Sequence, residues 1–176
     1  ITDGTWVDES WPISPSSMAG VLLHEAEKRV WADDAKHIVV RFSGIYGPGR
    51  ERLLRIARDR TPVQNDPPYY TNRIHQDDCA AVLAFLFEKQ RAGVNLASCY
   101  LASDDKPAPM MEVVSWLAGH IHGEKAVVET AVENGNQNKR CRNDRLKALG
   151  YVFTYPSYVH GYQPLLESFT KMERSS

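Results

Sequence analysis

His37–Arg50, HIVVRFSGIYGPGR, is the stretch that decides the fold. Ile38–Phe42 predicts a buried β-strand. Val39 and Val40 are β-branched and the run is mostly apolar, as suits a strand covered by helices on both faces. Ser43–Gly49 follows as a glycine-rich turn. Gly44, Gly47 and Gly49, with Pro48, let the backbone bend tightly and keep bulk away from a ligand lying against it. In an open α/β sheet, ligands bind just beyond the carboxyl ends of strands, so this turn stands where a site is expected. A plain strand and loop has the same spacing.

The 176 residues suffice for one domain with a real core. An apolar fraction of 43% and a charged fraction of 24% are those of an ordinary globular protein. A net charge of −1 gives no electrostatic reason to expect nucleic acid or an anionic membrane as partner. The apolar runs are too short to span a bilayer, and Ile1-Thr2-Asp3-Gly4 does not read as a signal peptide. Cys79, Cys99 and Cys141 are few, odd in number and far apart. They read as reduced thiols, neither a disulfide framework nor a metal site, and imply a cytoplasmic location.

Outward from the central stretch, Ser14–Ala32 predicts a helix capped by Ser14, with Pro15 in its first turn. Ala19, Leu23, Ala26 and Val30 recur at helical spacing, and Met18, Val21 and Leu22 widen the stripe enough to imply burial on two sides. Arg50–Arg60 predicts a short amphipathic helix studded with arginines, and Thr61–Tyr70 a proline-rich loop. Thr71–Gln90 begins extended and becomes a helix that Asp77 or Asp78 can cap. Ala97–Ala102 predicts a second buried strand. Met110, Val113, Val114, Leu117 and Ile121 mark the next helix, Ala126–Val132 an edge strand and Glu133–Asn138 a loop. A short helix follows Lys139–Arg142, capped by Asn143 and ended by Gly150. Tyr155–His160 reads as a loop, and Tyr162, Leu165, Leu166 and Phe169 as a final helix.

RFSGIYGPGR resembles the strand-and-loop signature of the NAD(P)-dependent epimerase/dehydratase family, the extended or atypical short-chain dehydrogenase/reductases. GTWVDESWPISP, TNRIHQDDCAAVL, CYLASDDKP and KRCRNDRLKALGYVFTYPSY fit the same family in the same order. The resemblance implies an α/β fold built on a Rossmann-like doubly wound parallel sheet, with a small substrate-binding subdomain. It implies NAD or NADP as cofactor and a small-molecule substrate such as a nucleotide sugar.

Residues 1–176 contain no G-x-x-G-x-x-G after an early strand, the pattern that cradles a dinucleotide pyrophosphate. The chain also opens in the middle of a motif. The expectation is therefore a C-terminal portion that supplies the substrate-binding half, with a hundred or more residues and the main cofactor-binding half missing. Against the family pattern, Ala19 and Leu23 stand where the catalytic Tyr and Lys belong, so no catalytic residue is assigned. That helix often forms a dimeric four-helix bundle in the family, which allows a homodimer.

Phe42, Ser43 and Gly44 are the implied cofactor contacts, largely through backbone. Arg50, Asn72, Arg73, Lys139 and Arg140 are the implied substrate contacts, the basic ones facing a phosphate or carboxylate. Gly44 occupies a position where many relatives carry an Asn that meets the substrate. His75 reads as scaffold. His-x-Asp-Asp also suggests a metal site, but two Asp and one His make a weak ligand set, and no metal is assigned. The leading function is an NAD(P)-dependent sugar-nucleotide epimerase/dehydratase-like oxidoreductase. The alternative is a non-catalytic NAD(P)-binding sensor or scaffold without the Tyr/Lys pair.

Overall fold

The computed structural model describes residues 3–34, 36–123 and 138–173. In chain order the elements are β1 (Thr5–Val7), α1 (Met18–Asp33), β2 (Val39–Phe42), β3 (Gly44–Tyr46), α2 (Arg52–Arg58), β4 (Tyr70–Thr71), β5 (Arg73–His75), α3 (Gln76–Arg91), β6 (Cys99–Ala102), β7 (Ala108–Pro109), α4 (Met110–His122), β8 (Lys139–Cys141), α5 (Asp144–Ala148) and α6 (Tyr158–Glu173). The expected edge strand over 126–132 and the loop over 133–137 lie outside the described residues.

Three strand pairs are parallel: β1 with β8, β2 with β6, and β3 with β5. The fourth, β4 with β7, is antiparallel. The predicted strands at 38–42 and 97–102 are thus each other's partners, with Val39 opposite Cys99 and Phe42 opposite Ala102. Ser43 N donates to Ala102 O at 2.9 Å and Gly44 N to Asn72 O at 3.1 Å, continuing the β2–β6 and β3–β5 ladders, and Asp104 N donates to Arg73 O at 2.8 Å, joining the segment after β6 to β5.

Parallel pairing therefore starts at Thr5–Val7, and a helix and a second parallel strand follow at once. The fold class is corrected accordingly. Rossmann-like α/β elements occupy the N-terminal region of this chain and are not confined to a C-terminal part of the sheet. The missing glycine pattern had suggested otherwise, but it bears on phosphate binding and not on strand pairing.

Gly44–Tyr46 was expected to be turn and is strand. Gly44 has no side chain to hold off β5, since a Cβ there would sit 3.1 Å from Asn72 O. The turn itself is confined to Gly47–Arg50, where Gly47 and Gly49 have φ of +148° and +76° and Arg50 N returns to Gly47 O at 2.9 Å. Such left-handed values suit glycine.

Helix boundaries also shift for local reasons. Ser17, not Ser14, caps α1, its hydroxyl accepting from Gly20 N at 3.1 Å. No residue of α1 is buried, and Leu23 is 69% exposed, so the expected two-sided burial is corrected. Polar ties hold α1 instead. The Arg41 guanidinium donates to both Glu27 oxygens at 2.8 and 2.6 Å, and Trp31 Nε1 donates to Ser98 O at 3.1 Å. His75, not an aspartate, caps α3, its Nδ1 accepting from Asp77 N at 3.2 Å. α6 begins at Tyr158, inside the predicted loop, because Gly161 N already closes a turn onto Ser157 O at 3.2 Å.

Two apolar clusters flank the strand ends. One gathers Leu54, Ala57, Val113, Val114, Leu117 and the inner side of α6. The other joins Ile74, Val82, Leu86, Tyr100, Leu146, Tyr151 and Phe153. Asp78 ties the second cluster together. It is fully buried and accepts from Tyr151 OH, Thr154 N and Tyr155 N, each at 2.9 Å. Asp78→Ala strands these donors and should cost roughly 2–4 kcal/mol by urea denaturation, with Asp78→Asn losing less because one acceptor oxygen remains.

Candidate functional site

β1, β2, β6 and β8 end at Val7, Phe42, Ala102 and Cys141, and the segments that leave them converge. Asn72 positions β8. Its Nδ2 donates to Lys139 O at 2.8 Å and its Oδ1 accepts from Cys141 N at 2.7 Å. Asn138 works similarly one step upstream, its carboxamide bonded to Pro68 O at 2.8 Å and Tyr70 N at 2.9 Å. The Ser43 hydroxyl meets the Cys141 thiol, so the end of β2 touches the end of β8.

Beyond these ends opens a pocket of about 330 Å³. Trp6 and Arg142 form its rim, Cys141 and Asn143 its floor, and Asp104 and Asp105 one wall, with Asp144 and Lys147 closing the side. Asn143 Nδ2 bonds both Ser103 O at 2.9 Å and Asp105 Oδ1 at 2.8 Å, fixing the floor to the end of β6. Lys147 pairs with Asp105 at 3.0 Å and Arg142 with Asp144 at 3.6 Å.

The Arg140 guanidinium lies between two rings, 4.8 Å from the Trp6 centroid and 4.7 Å from that of Tyr70. Its Nε donates to Gly4 O at 2.6 Å. Arg142 approaches the same indole at 5.3 Å. Planar cations on aromatic faces are held in orientation at low cost, and Trp6 keeps 39% exposure at the rim.

Asp104 is 1% exposed. Lys106 N donates to its Oδ1 at 3.2 Å, and its Oδ2 meets no partner among the described residues. Burial pushes the carboxyl up to about 7, against the opposing pull of the Arg73 guanidinium. Arg73 is itself buried. It bonds Thr71 Oγ1, lies 5.6 Å from the Tyr158 ring, and leaves Nη1 unpartnered. Tyr46 stacks on Tyr162 at 4.5 Å, and its hydroxyl occupies the space a Cβ of Gly161 would need.

The sequence-predicted residues divide. Ser43, Asn72, Lys139 and Arg140 come together around β8. Phe42 packs partly into the second apolar cluster. Gly44 is exposed, and Arg50 is exposed on the separate turn that follows Gly49. Asn72 spends its carboxamide on β8, and Arg73 points into the protein. Trp6 and Asp104 were not singled out from sequence. The signal for Asp104 was its place two residues past the end of a buried strand.

A dinucleotide fits this surface only in part. Ser43 and Gly44 offer an open ledge, but their N–H groups are taken by Ala102 O and Asn72 O, and the sequence holds no glycine triad for a pyrophosphate. Among the described residues no three His, Cys, Asp or Glu side chains are grouped to hold a metal ion. No helix among them is long and apolar enough to cross a membrane.

No family model matches the chain. A solved structure from Methylobacillus flagellatus, assigned as an NAD-dependent epimerase/dehydratase, is 33% identical with a TM-score of 0.77, covering 95% of this chain and 59% of that one. The dTDP-glucose 4,6-dehydratase of Bacillus anthracis, solved with NAD, shares the fold at 18% identity and a TM-score of 0.77, covering 97% of this chain and 57% of that one. A curated relative, a 3-diazoavenalumate denitrifying reductase from Streptomyces, is 24% identical over 88% of this chain and 53% of its own length.

The likeness to solved structures runs through 93–97% of this chain, from its N-terminal elements onward. It overturns the expectation that only a C-terminal portion is matched. With that expectation go the reading of the chain as a substrate-binding half alone and that of an NAD or NADP site whose main half is missing. Those readings rested on the glycine pattern and the opening residues, which say nothing about where the fold is matched. The chain spans 57–61% of the lengths of these structures.

All three cysteines are buried and unpaired, and burial raises the thiol pKa of each, that of Cys79 to about 11. At pH 8 the native protein should react slowly with a thiol-specific disulfide reagent, and all three thiols should react at once in denaturant. Rapid native labelling of Cys141 would mean that the pocket floor is open.

Proposed function

We propose that the protein is an NAD(P)-linked oxidoreductase of the epimerase/dehydratase type, acting on a small hydroxylated or carbonyl-bearing molecule held in the pocket beside Trp6. The observation that carries this reading is the 33% identity to an assigned NAD-dependent epimerase/dehydratase over 95% of the chain. Phe42, Ser43 and Gly44 are the proposed ledge for the nicotinamide, which when bound supplies or accepts hydride. Lys139 and Arg140 are proposed to face an anionic group of the substrate, with Arg50 at the outer edge. Asn72 and Arg73 serve by fixing β8 and the inner wall.

A nucleotide sugar is the finer substrate reading, supported by the name of the Bacillus anthracis dehydratase. The name of the Streptomyces relative supports a reductive step on another kind of small molecule. The unpaired buried cysteines are in keeping with a reducing, cytoplasmic setting. The exposed apolar side of α1, including Met18, Leu22 and Leu23, is the proposed homodimer contact.

A second reading, a cofactor-binding sensor or scaffold without turnover, is favoured by Ala19 and Leu23 at the positions of the family's acid–base pair. Assay of NADH and NADPH oxidation against a panel of carbonyl compounds separates the two. The oxidoreductase reading expects turnover of at least one compound, lowered at least tenfold by Arg140→Ala. Cofactor binding with no oxidation across the panel would favour the sensor.

A further inference from the structure

We propose that His75 is an acid-sensitive latch at the junction of β5 and α3: when neutral it caps the helix, and when protonated it releases the cap and turns its new N–H to the Asp77 carboxylate. The bonding shows which ring nitrogen is bare. A backbone N–H can only donate, so the bond from Asp77 N to His75 Nδ1 at 3.2 Å needs an unprotonated Nδ1. The one proton of the neutral ring then sits on Nε2. A second proton has to go to Nδ1, where two N–H groups would face each other, and the 16-residue helix α3 loses its side-chain cap.

The group that receives the new N–H is already in place. Asp77 Oδ2 lies 3.4 Å from the same Nδ1. Protonation thus exchanges one partner for another on a single residue, the amide of Asp77 for its carboxylate. The Tyr155 hydroxyl, which donates to Asp77 Oδ2 at 3.4 Å, has to share that oxygen. The next residue, Asp78, is held by Tyr151, Thr154 and Tyr155, so the release is confined to the first turn of α3.

The ring itself has little freedom. It is 3% exposed, lies 3.9 Å from the Tyr155 ring centroid, and meets Tyr46, its opposite number in the β3–β5 ladder, edge-on at 5.3 Å. The charged and titratable groups that face it are these two tyrosines and, on α3, Asp77 and Asp78. Burial raises both tyrosine hydroxyls, so neither adds a charge. Burial also holds the imidazole below its usual range, against the opposing pulls of Asp77 and Asp78. The folded pKa is then below the unfolded value of 6.5, and the unfolded chain binds the proton more readily. The stability that the neutral ring contributes is whole above 6.5 and is lost as pH falls through 6.5 to the folded pKa.

The latch does not depend on the oxidoreductase reading. Nitrogen-15 NMR of the full chain should find Nδ1 bare at neutral pH and His75 titrating below 6.5. Between neutral pH and a pH below that titration, protection of the Asp77 amide against exchange should drop roughly tenfold in wild type, the size of a lost cap. His75→Asn offers an acceptor that does not titrate, so its Asp77 amide should be equally protected at both pH values. Asp77→Asn keeps the backbone donor but removes the receiving carboxylate, and should move the His75 pKa further down. A proton on Nδ1 at neutral pH, a His75 pKa at or above 6.5, or equal losses of protection in wild type and His75→Asn would overturn the proposal. So would an unmoved His75 pKa in Asp77→Asn, a result that stands even if His75→Asn fails to fold.

Discussion

The carboxamide of Asn72 does for β8 what a neighbouring strand would do. It gives a hydrogen to Lys139 O and takes one from Cys141 N, at 2.8 and 2.7 Å, while its own backbone carbonyl accepts Gly44 N. One residue thereby links β3, β5 and β8, and β1 follows because it pairs with β8. A two-residue offset in β8 would carry Arg140 away from Trp6 and Tyr70 and part Cys141 from Ser43. The geometry of the pocket thus depends on an amide side chain with one donor and one acceptor aligned to a strand edge. A carboxylate there could accept from Cys141 N but could not donate to Lys139 O.

Polar groups fill the seam between two apolar clusters, and the protein treats them in two ways. Asp78 is saturated by a hydroxyl and two amides, which makes it a structural knot. Arg73, Asp104 and Tyr46 are buried just as deeply, yet each keeps one atom without a partner among the described residues. Buried polar atoms in stable folds are nearly always satisfied. The trio departs from that rule, while Asp78 keeps to it.

Much of this was legible in the residues. Ile38–Phe42 and Ala97–Ala102 announced strands, although Val39–Phe42 is half-buried and not buried as expected, and the apolar spacing of Met110–Ile121 announced α4. The five motif stretches led to the fold that the solved structures share at TM-scores up to 0.77. Other features were hidden because they depend on partners distant in sequence. Gly44 looked like a turn residue, and only the approach of Asn72 O shows that it is a strand residue. Asn72 looked like a ligand contact because its type does not reveal that Lys139 and Cys141 consume it. The apolar stripe of α1 predicted burial, yet Arg41, Glu27, Trp31 and Ser98 hold the helix by polar ties. Trp6 gained meaning only once β8 placed two guanidiniums beside its ring.

Amide hydrogen exchange tests the central constraint most directly. If Asn72 acts as a strand, the amides of Cys141 and Gly44 should be protected as strongly as those of Arg41 and Tyr100, which face each other's strands in the β2–β6 pair, and in Asn72→Leu the Cys141 amide should exchange far faster. Loop-like exchange of Cys141 in the unaltered protein, or protection untouched by Asn72→Leu, would contradict the account.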